Sequence, residues 1–254
     1  MRYRSVRMRL AILADVHSNL EALEACLAHA RAGGASRFAF VGDLVGYGAD
    51  PAAVLDVVSD LADSGAVVVR GNHDAAVLDA KADTMHRAAE EAVAWTRSRL
   101  SPRHLAFLAG LPLLAREGHM AFVHASADEP AQWTYVTDPL HAARSLDAAG
   151  ASWLFSGHVH EQALYYTGAG SRPMAFRPVP GVAIPVPARR RWLAIVGSAG
   201  QPRDGNTAAC YALADLDRST LTFHRVPYDW SAAAAKIRAA GLPERLALRL
   251  ERGE

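Results

Sequence analysis

The sequence predicts an α/β protein whose first half repeats β-α units and whose second half is mostly strands. Three observations carry this expectation. Short apolar runs alternate with amphipathic segments from residue 9 to residue 69. Each early run ends in polar residues, at the point where a parallel sheet gathers its ligands. Beyond residue 160, five strand-length runs follow one another and no helix is expected between them. With 254 residues and 51% hydrophobic content, the chain can bury a sizeable core as a single domain, 1–254.

The elements follow in order. Residues 1–8 carry Arg2, Arg4 and Arg7 and are expected to be a frayed leader. The apolar run after them, Leu10 to Ala14, is too short for the ~7–15 residues of a secretory segment. Met8 is a second possible start. Arg9–Val16 reads as a buried strand, and Asn19 can cap a helix from Leu20 to about Arg31 that stops at Gly33-Gly34. Phe38–Val41 is a strand, Pro51 opens a helix over Ala52–Ala62, and Ala66–Val69 is a third strand. This β-α-β-α-β order implies parallel pairing with right-handed crossovers.

Thr84–Ala109 is helical in pattern, with a fresh start at Ser101-Pro102. His119–His124 and Ser152–Ser156 are short strands. Gln162–Thr167, Met174–Val179, Trp192–Gly197, Cys210–Asp215 and Ser219–Val226 read as successive strands of a largely antiparallel sheet. The proline-rich stretch from Pro173 to Pro187 reads as a surface loop interrupting them, and residues 229–254 as a helical tail broken at Gly241-Leu242-Pro243.

Composition narrows the function classes. A net charge of +1 offers no field for a nucleic-acid polymer or a membrane surface. No segment approaches the ~20 apolar residues of a membrane span. Cys26 and Cys210 are too few for a disulfide framework, so a reducing cytoplasm is expected. Arginines are scattered and only Lys81 and Lys236 are lysines, which reads as compositional bias.

Chemistry concentrates in five clusters where apolar strands run out: Asp15-Val16-His17, Gly42-Asp43, Gly71-Asn72-His73-Asp74, His124 and Gly157-His158-Val159-His160. They supply Asp15, His17, Asp43, Asn72, His124, His158 and His160 as candidate ligands. Mixed imidazole and carboxylate donors suit first-row divalent metals. Seven ligands are too many for one ion and about right for two that share a bridge. Singly, each has a bland reading: Asp15 or Asp43 as a helix cap, His124 as a core histidine. Those readings do not explain why all converge on strand ends. The other histidines, His29, His86, His104, His119, His141 and His224, read as structural.

In this order the clusters resemble the calcineurin-like metallophosphoesterases, and the matching motifs extend from Asp15 to His160. The resemblance implies a four-layer α/β/β/α sandwich of two mixed sheets flanked by helices. It implies one metal on Asp15, His17 and His160, another on Asn72, His124 and His158, and Asp43 bridging both. Two divalent ions, Mn or Fe first and Zn, Ni or Mg also compatible, would then supply a hydroxide that attacks phosphorus in line. His73 is free to protonate the leaving group, and Asp74 either orients its ring or is a helix-start carboxylate.

Gly46 and Tyr47 stand where protein Ser/Thr phosphatases of this family carry an aspartate and an arginine. The chain therefore resembles the small prokaryotic phosphodiesterase-like branch. A phosphodiesterase acting on a small nucleotide-like or dinucleoside polyphosphate substrate is expected, as a monomer or small homo-oligomer. A phosphoprotein phosphatase and a non-catalytic scaffold of the same fold are the alternatives. Substrate selection is expected in the loop from Gly197 to Asn206, where Arg203 either grips a phosphate or pairs with Asp204. Tyr47 either stacks a base or packs a turn.

Overall fold

Two six-stranded sheets pack face to face with helices on both outer sides. The computed structural model describes residues 8–79, 87–168 and 173–254, so residues 1–7 of the expected leader (1–8), the start of a helix at Thr84, and Lys81 and His86 lie outside the described residues. The first half contributes β1 (Arg9–Leu13), α1 (Leu20–Ala32), β2 (Arg37–Val41), α2 (Pro51–Asp63), β3 (Val67–Val69), α3 (Asn72–Leu78), α4 (Arg87–Arg99) and α5 (Pro102–Gly110). Next come β4 (Leu114–Glu117), β5 (Met120–Val123), α6 (Pro139–Ala149) and β6 (Trp153–Ser156). Strands β7 (Gln162–Gly168), β8 (Met174–Phe176), β9 (Ala183–Pro185), β10 (Arg190–Val196), β11 (Ala209–Asp215) and β12 (Thr220–Val226) precede α7 (Trp230–Ala239) and α8 (Glu244–Arg252).

The first sheet has the order β3-β2-β1-β11-β12-β9, the second β4-β5-β6-β10-β7-β8. Strands β1, β2 and β3 are parallel, as the β-α-β-α-β pattern requires, and β1 also pairs antiparallel with β11. In the second sheet β5 and β6 are parallel, so their carboxyl ends also carry ligands together. Period-2 alternation sorts side chains between layers. Leu10 and Ile12 face Phe122, Phe155 and Phe223 between the sheets, whereas Ala11 and Leu13 face Leu23, Leu27 and Leu55 under the helices. On the far side, Ala142, Leu146 and Ala149 of α6 cover Leu154, Leu193 and Ile195. Full burial of each large apolar side chain contributes about 1.5–3 kcal/mol.

Three expectations change. The five late strands do not form one antiparallel sheet: β7, β8 and β10 belong to the second sheet, β11 and β12 to the first. Their alternation is identical for either home, because Leu193 and Ala194 are buried on opposite faces. The proline-rich stretch is not all loop, since β8 and β9 form the two sheet rims. Proline is tolerated there because an edge strand leaves some N–H groups unpaired anyway. Arg189–Arg191 reads from the sequence as a solvated turn, but Arg190 and Arg191 begin β10, with Arg191 paired to Asp147. Elements β4 and α6 were not anticipated. Asn19 does cap α1, accepting from the Ala22 N–H at 3.1 Å, and Gly33 ends the helix.

His224 on β12 gives the fold an acid limit. Its ring stacks on Tyr211 of β11 at 4.7 Å and lies 5.1 Å from the His29 ring of α1, which is hydrogen-bonded to the Tyr211 hydroxyl. Burial, then the His29 charge, push His224 down to about 4 from 6.5. A depressed histidine favours the fold while neutral, so this contribution is complete above pH 6.5 and falls away as pH drops towards 4. Thermal unfolding should show a His224→Phe protein losing less melting temperature than the wild type between pH 7 and pH 4.5. An equal loss in both would contradict the assignment.

Candidate metal centre

Seven of the nine described non-glycine residues with positive φ crowd one edge of the paired sheets. They are Asp15 (52°), His17 (49°), Ser18 (53°), Asp43 (52°), Tyr47 (60°), His158 (67°) and His160 (64°). Left-handed backbone at such residues costs on the order of 1–3 kcal/mol each and persists only where neighbours over-determine it. Here the loops after β1, β2 and β10 bind one another. The N–H groups of Asp15, His17 and Ser18 donate to the carbonyls of Gly42, Asp43 and Leu44 at 2.9–3.0 Å, and the Gly200 N–H donates to the Asp15 carbonyl at 2.9 Å. Gly71 must be glycine, since a Cβ would lie 2.1 Å from Asp43 Oδ1.

All seven expected ligands meet at this edge. His160 Nε2 lies 3.2 Å from both His17 Nε2 and Asp15 Oδ1. His124 Nε2 lies 3.0 Å from both Asn72 Oδ1 and His158 Nδ1. Asp43 Oδ2 sits between the two trios, 3.6 Å from His17 Nε2 and 3.4 Å from His124 Nε2. Donors about 2.0–2.2 Å from a shared ion are separated by roughly 3.0–3.5 Å, which is the spacing found.

The far sides of the rings fix their tautomers. His17, His124 and His160 direct Nδ1 at the carbonyls of Val45, Val41 and Gln201, at 3.1, 2.9 and 2.6 Å. With Nδ1–H donated outward, each Nε2 points a lone pair inward. Two facing lone pairs at 3.2 Å repel unless a cation lies between them, so the residues fit divalent ions. The charges agree. Burial disfavours a charged imidazole, yet Asp43 and Asp15 overcome it and push His124 up to about 9. Burial opposes ionisation of Asp43 too, but His124 and His73 hold its carboxyl well below the usual range. The buried carboxylates thus call for positive charge, which metal ions supply while leaving the imidazoles neutral. Burial and the charge of His124 push His158 down to about 3, and burial lowers His17 despite Asp43.

His73 and Asp74 begin α3. The His73 N–H donates to Asp43 Oδ1 at 2.8 Å, and its ring lies 4.9 Å from that of His17. Burial pushes the imidazole down to about 4, with Asp43 opposing. Its Nδ1 has no hydrogen-bond partner among the described residues. Of the two roles open to Asp74, the contact with the His73 ring does not form, because that carboxylate accepts the N–H groups of Leu44, Val45 and Gly71 at 2.9, 3.1 and 2.9 Å. Asp74 ties the β2 loop to the start of α3. Burial and the Asp43 charge push its carboxyl up to about 7 against those donors. Gly46 faces His73 instead, where a Cβ would come 2.6 Å from Nδ1.

A cavity of about 270 Å³ opens over the cluster, lined by Asp43, Asn72, His73, His158 and His160 with Tyr47, Tyr135, Arg203, Arg249 and Ala89. Arg203 does not pair with Asp204, which is taken by Arg225 of β12. Its guanidinium hydrogen-bonds Gln201 Oε1 at 3.0 Å and sits 5.9 Å from the Tyr47 ring centre.

Residues 8–219 match the calcineurin-like phosphoesterase superfamily domain. The chain belongs to this superfamily. The uncharacterized protein MJ0912 of Methanocaldococcus jannaschii is 31% identical over 255 residues, covering 96% of this chain and 98% of its own. The crystal structure of a metallophosphoesterase from Sphaerobacter thermophilus is 36% identical, with a TM-score of 0.86 over 98% of this chain and 100% of that one. The hypothetical protein PH1004 of Pyrococcus horikoshii shares the fold at 18% identity, with a TM-score of 0.76 over 97% and 99% of the two chains. The chain is thus a metal-dependent phosphoric ester hydrolase with the four-layer α/β/β/α architecture.

Two residues of this phosphoesterase's cavity were not anticipated. Tyr135 stacks on the His158 ring at 3.9 Å and is 49% exposed. It lies in a segment without periodic pattern, so the sequence carried no signal for it. Arg249 comes from α8, within the stretch expected to be a tail. A signal existed there: Arg249 sits three residues after Leu246 and next to Leu250, on a helix side that should be apolar. The remaining described histidines have other partners. His104 pairs with Asp56, His141 with Asp138, and His119 meets the Trp153 edge. Among the described residues no helix is long and apolar enough to cross a membrane.

Proposed function

We propose that this protein is a dinuclear phosphodiesterase acting on a small nucleotide-like or dinucleoside polyphosphate substrate, with Mn²⁺ or Fe as the native ions. The observation that carries this is the cavity, which puts four of the seven candidate ligands (Asp43, Asn72, His158 and His160), His73, two arginines and two tyrosines around one space. At about 270 Å³ it approaches the lower end of small-ligand sites, ~300–1,000 Å³. Asp15, His17 and His160 hold one ion, Asn72, His124 and His158 the other, and Asp43 bridges them. Two ions at such a site neutralise phosphoryl oxygens and lower the pKa of the attacking water. Arg203 grips a phosphate of the substrate, Tyr47 and Tyr135 offer ring faces to a base, and His73 delivers a proton to the leaving oxygen.

Gly46 and Tyr47 support the small-substrate reading over a phosphoprotein phosphatase. Among the described residues no carboxylate is hydrogen-bonded to His73 Nδ1, and an aromatic ring fills the position of that branch's phosphate-gripping arginine. The free, buried Cys26 and Cys210 support a reducing compartment. A panel on metal-defined enzyme tests the proposal: aryl monoesters and diesters, cyclic nucleotides, dinucleoside polyphosphates and phosphopeptides. The expected kcat/KM for a diester or dinucleoside polyphosphate exceeds that for phosphopeptides by about 100-fold, or ~2.7 kcal/mol of transition-state binding. Phosphopeptides as the best substrates would refute it.

A further inference from the structure

Two arginines converge on the cavity, and among the described residues neither has a carboxylate partner. Elsewhere Arg9 pairs with Asp215, Arg37 with Glu117, Arg225 with Asp204, and Arg238 with Glu244 and Glu251. Arg203 and Arg249 have no carboxylate partner among the described residues. Both instead share one neutral acceptor, Gln201 Oε1, at 3.0 and 3.3 Å. Their guanidinium carbons lie 5.9 and 5.8 Å from the centre of the Tyr47 ring, and that ring is 4.3 Å from His73 and 4.6 Å from His17. Arg203 Nε is buried with no hydrogen-bond partner among the described residues. Two like charges held together and partly out of water repel each other, and an anion relieves that repulsion.

The arrangement is braced by the loop after β10 and by the end of α8. Gln201 is 1% exposed, its N–H donates to Ser198 Oγ at 2.8 Å, and its carbonyl accepts from His160 Nδ1 at 2.6 Å. One residue therefore orients a metal ligand through its backbone and the arginine pair through its side chain. The end of α8 is pinned to the same loop, where the Gly205 N–H donates to the Gly253 carbonyl at 2.9 Å. Arg249 is thereby held at the cavity by the last helix.

We propose that Arg203 and Arg249 form a second anion subsite across the Tyr47 ring, beside the metal centre, and that it receives a second phosphate of the substrate. The proposal rests on the reading of that centre given above and deepens it. The ions at Asp43 take the scissile phosphate, and the arginine pair takes a neighbouring one joined by an anhydride bridge. Phosphoanhydride-linked nucleotides are then preferred over diesters with a single phosphate. Gln201 acts as a positioning residue for both subsites.

Calorimetric binding of methylenebisphosphonate and of methylphosphonate to Mn²⁺-loaded protein tests this without turnover. In Arg249→Met the bisphosphonate should bind about tenfold or more weaker, while methylphosphonate weakens less than about threefold. An equal loss for both probes, or no loss for the bisphosphonate, would overturn the proposal. Elemental analysis and thermal unfolding establish that the variant is folded and loaded. Should it not be, Arg249→Lys, which keeps the stem and charge but not the bidentate fork, is judged by the same two outcomes. A protein that binds the probes as expected yet hydrolyses no ester would refute the proposed function and leave the subsite standing.

Discussion

Asp43→Asn protein should lose most of its bound divalent metal and nearly all of its turnover. Asp43 Oδ2 faces His17 Nε2 and His124 Nε2 at 3.6 and 3.4 Å, so one oxygen serves both ligand trios. Asparagine has the same shape but no charge, and only one oxygen. If that oxygen keeps the His73 N–H, now held by Oδ1 at 2.8 Å, the amide NH₂ must face the ions. Residues that merely support metal ligands cost about 10–100-fold in affinity or activity when changed. Loss of a shared ligand should cost more than about 100-fold. Elemental analysis with turnover on a bis-aryl phosphate checks it, and a fully loaded variant of normal activity would contradict the bridge.

His73→Ala should keep its metals and lose rate in proportion to how badly the leaving group needs a proton. Alanine preserves the backbone N–H that holds Asp43, so the ligand frame survives. The imidazole is pushed down to about 4 in the free site, chiefly by burial. A bound phosphate ester brings negative charge to within a few ångströms, which favours the protonated ring. General acid catalysis is typically worth ~10²–10⁴-fold, and that loss is expected for alkyl esters. Nitrophenolate departs without a proton, so the loss there should be much smaller. Equal losses on both leaving groups would remove the acid role.

The candidate metal centre was legible because its residues are short-range motifs at strand ends. Asp15-x-His17 and Gly157-His158-x-His160 each bend through left-handed backbone, a local property that the sequence order already marks. The parallel order of β1, β2 and β3 followed from the crossovers between them. What was not legible depends on contacts between distant segments. Whether β10 and β11 share a sheet is decided by the loop whose Ala199 and Gly200 N–H groups bond the Ala14 and Asp15 carbonyls after β1, and alternation is silent on that. The partner of Arg203 could not be read from its neighbour Asp204, because Arg225 approaches from β12. Asp74 read equally as a companion to the adjacent His73 or as a helix-start carboxylate, and only the fold shows three N–H groups from two loops claiming it. Arg249 was hidden by its place near the end of the chain, although α7 and α8 pack firmly through Ala234, Ile237, Leu246 and Leu250.

The central claim is a pair of ions sharing Asp43, and electron paramagnetic resonance of the Mn²⁺-loaded protein tests it most directly. A titration should saturate near two ions per chain, and ions about 3.5–4 Å apart through one carboxylate should give a spin-coupled spectrum. Saturation near one ion, or a spectrum of isolated Mn²⁺ only, would contradict the account.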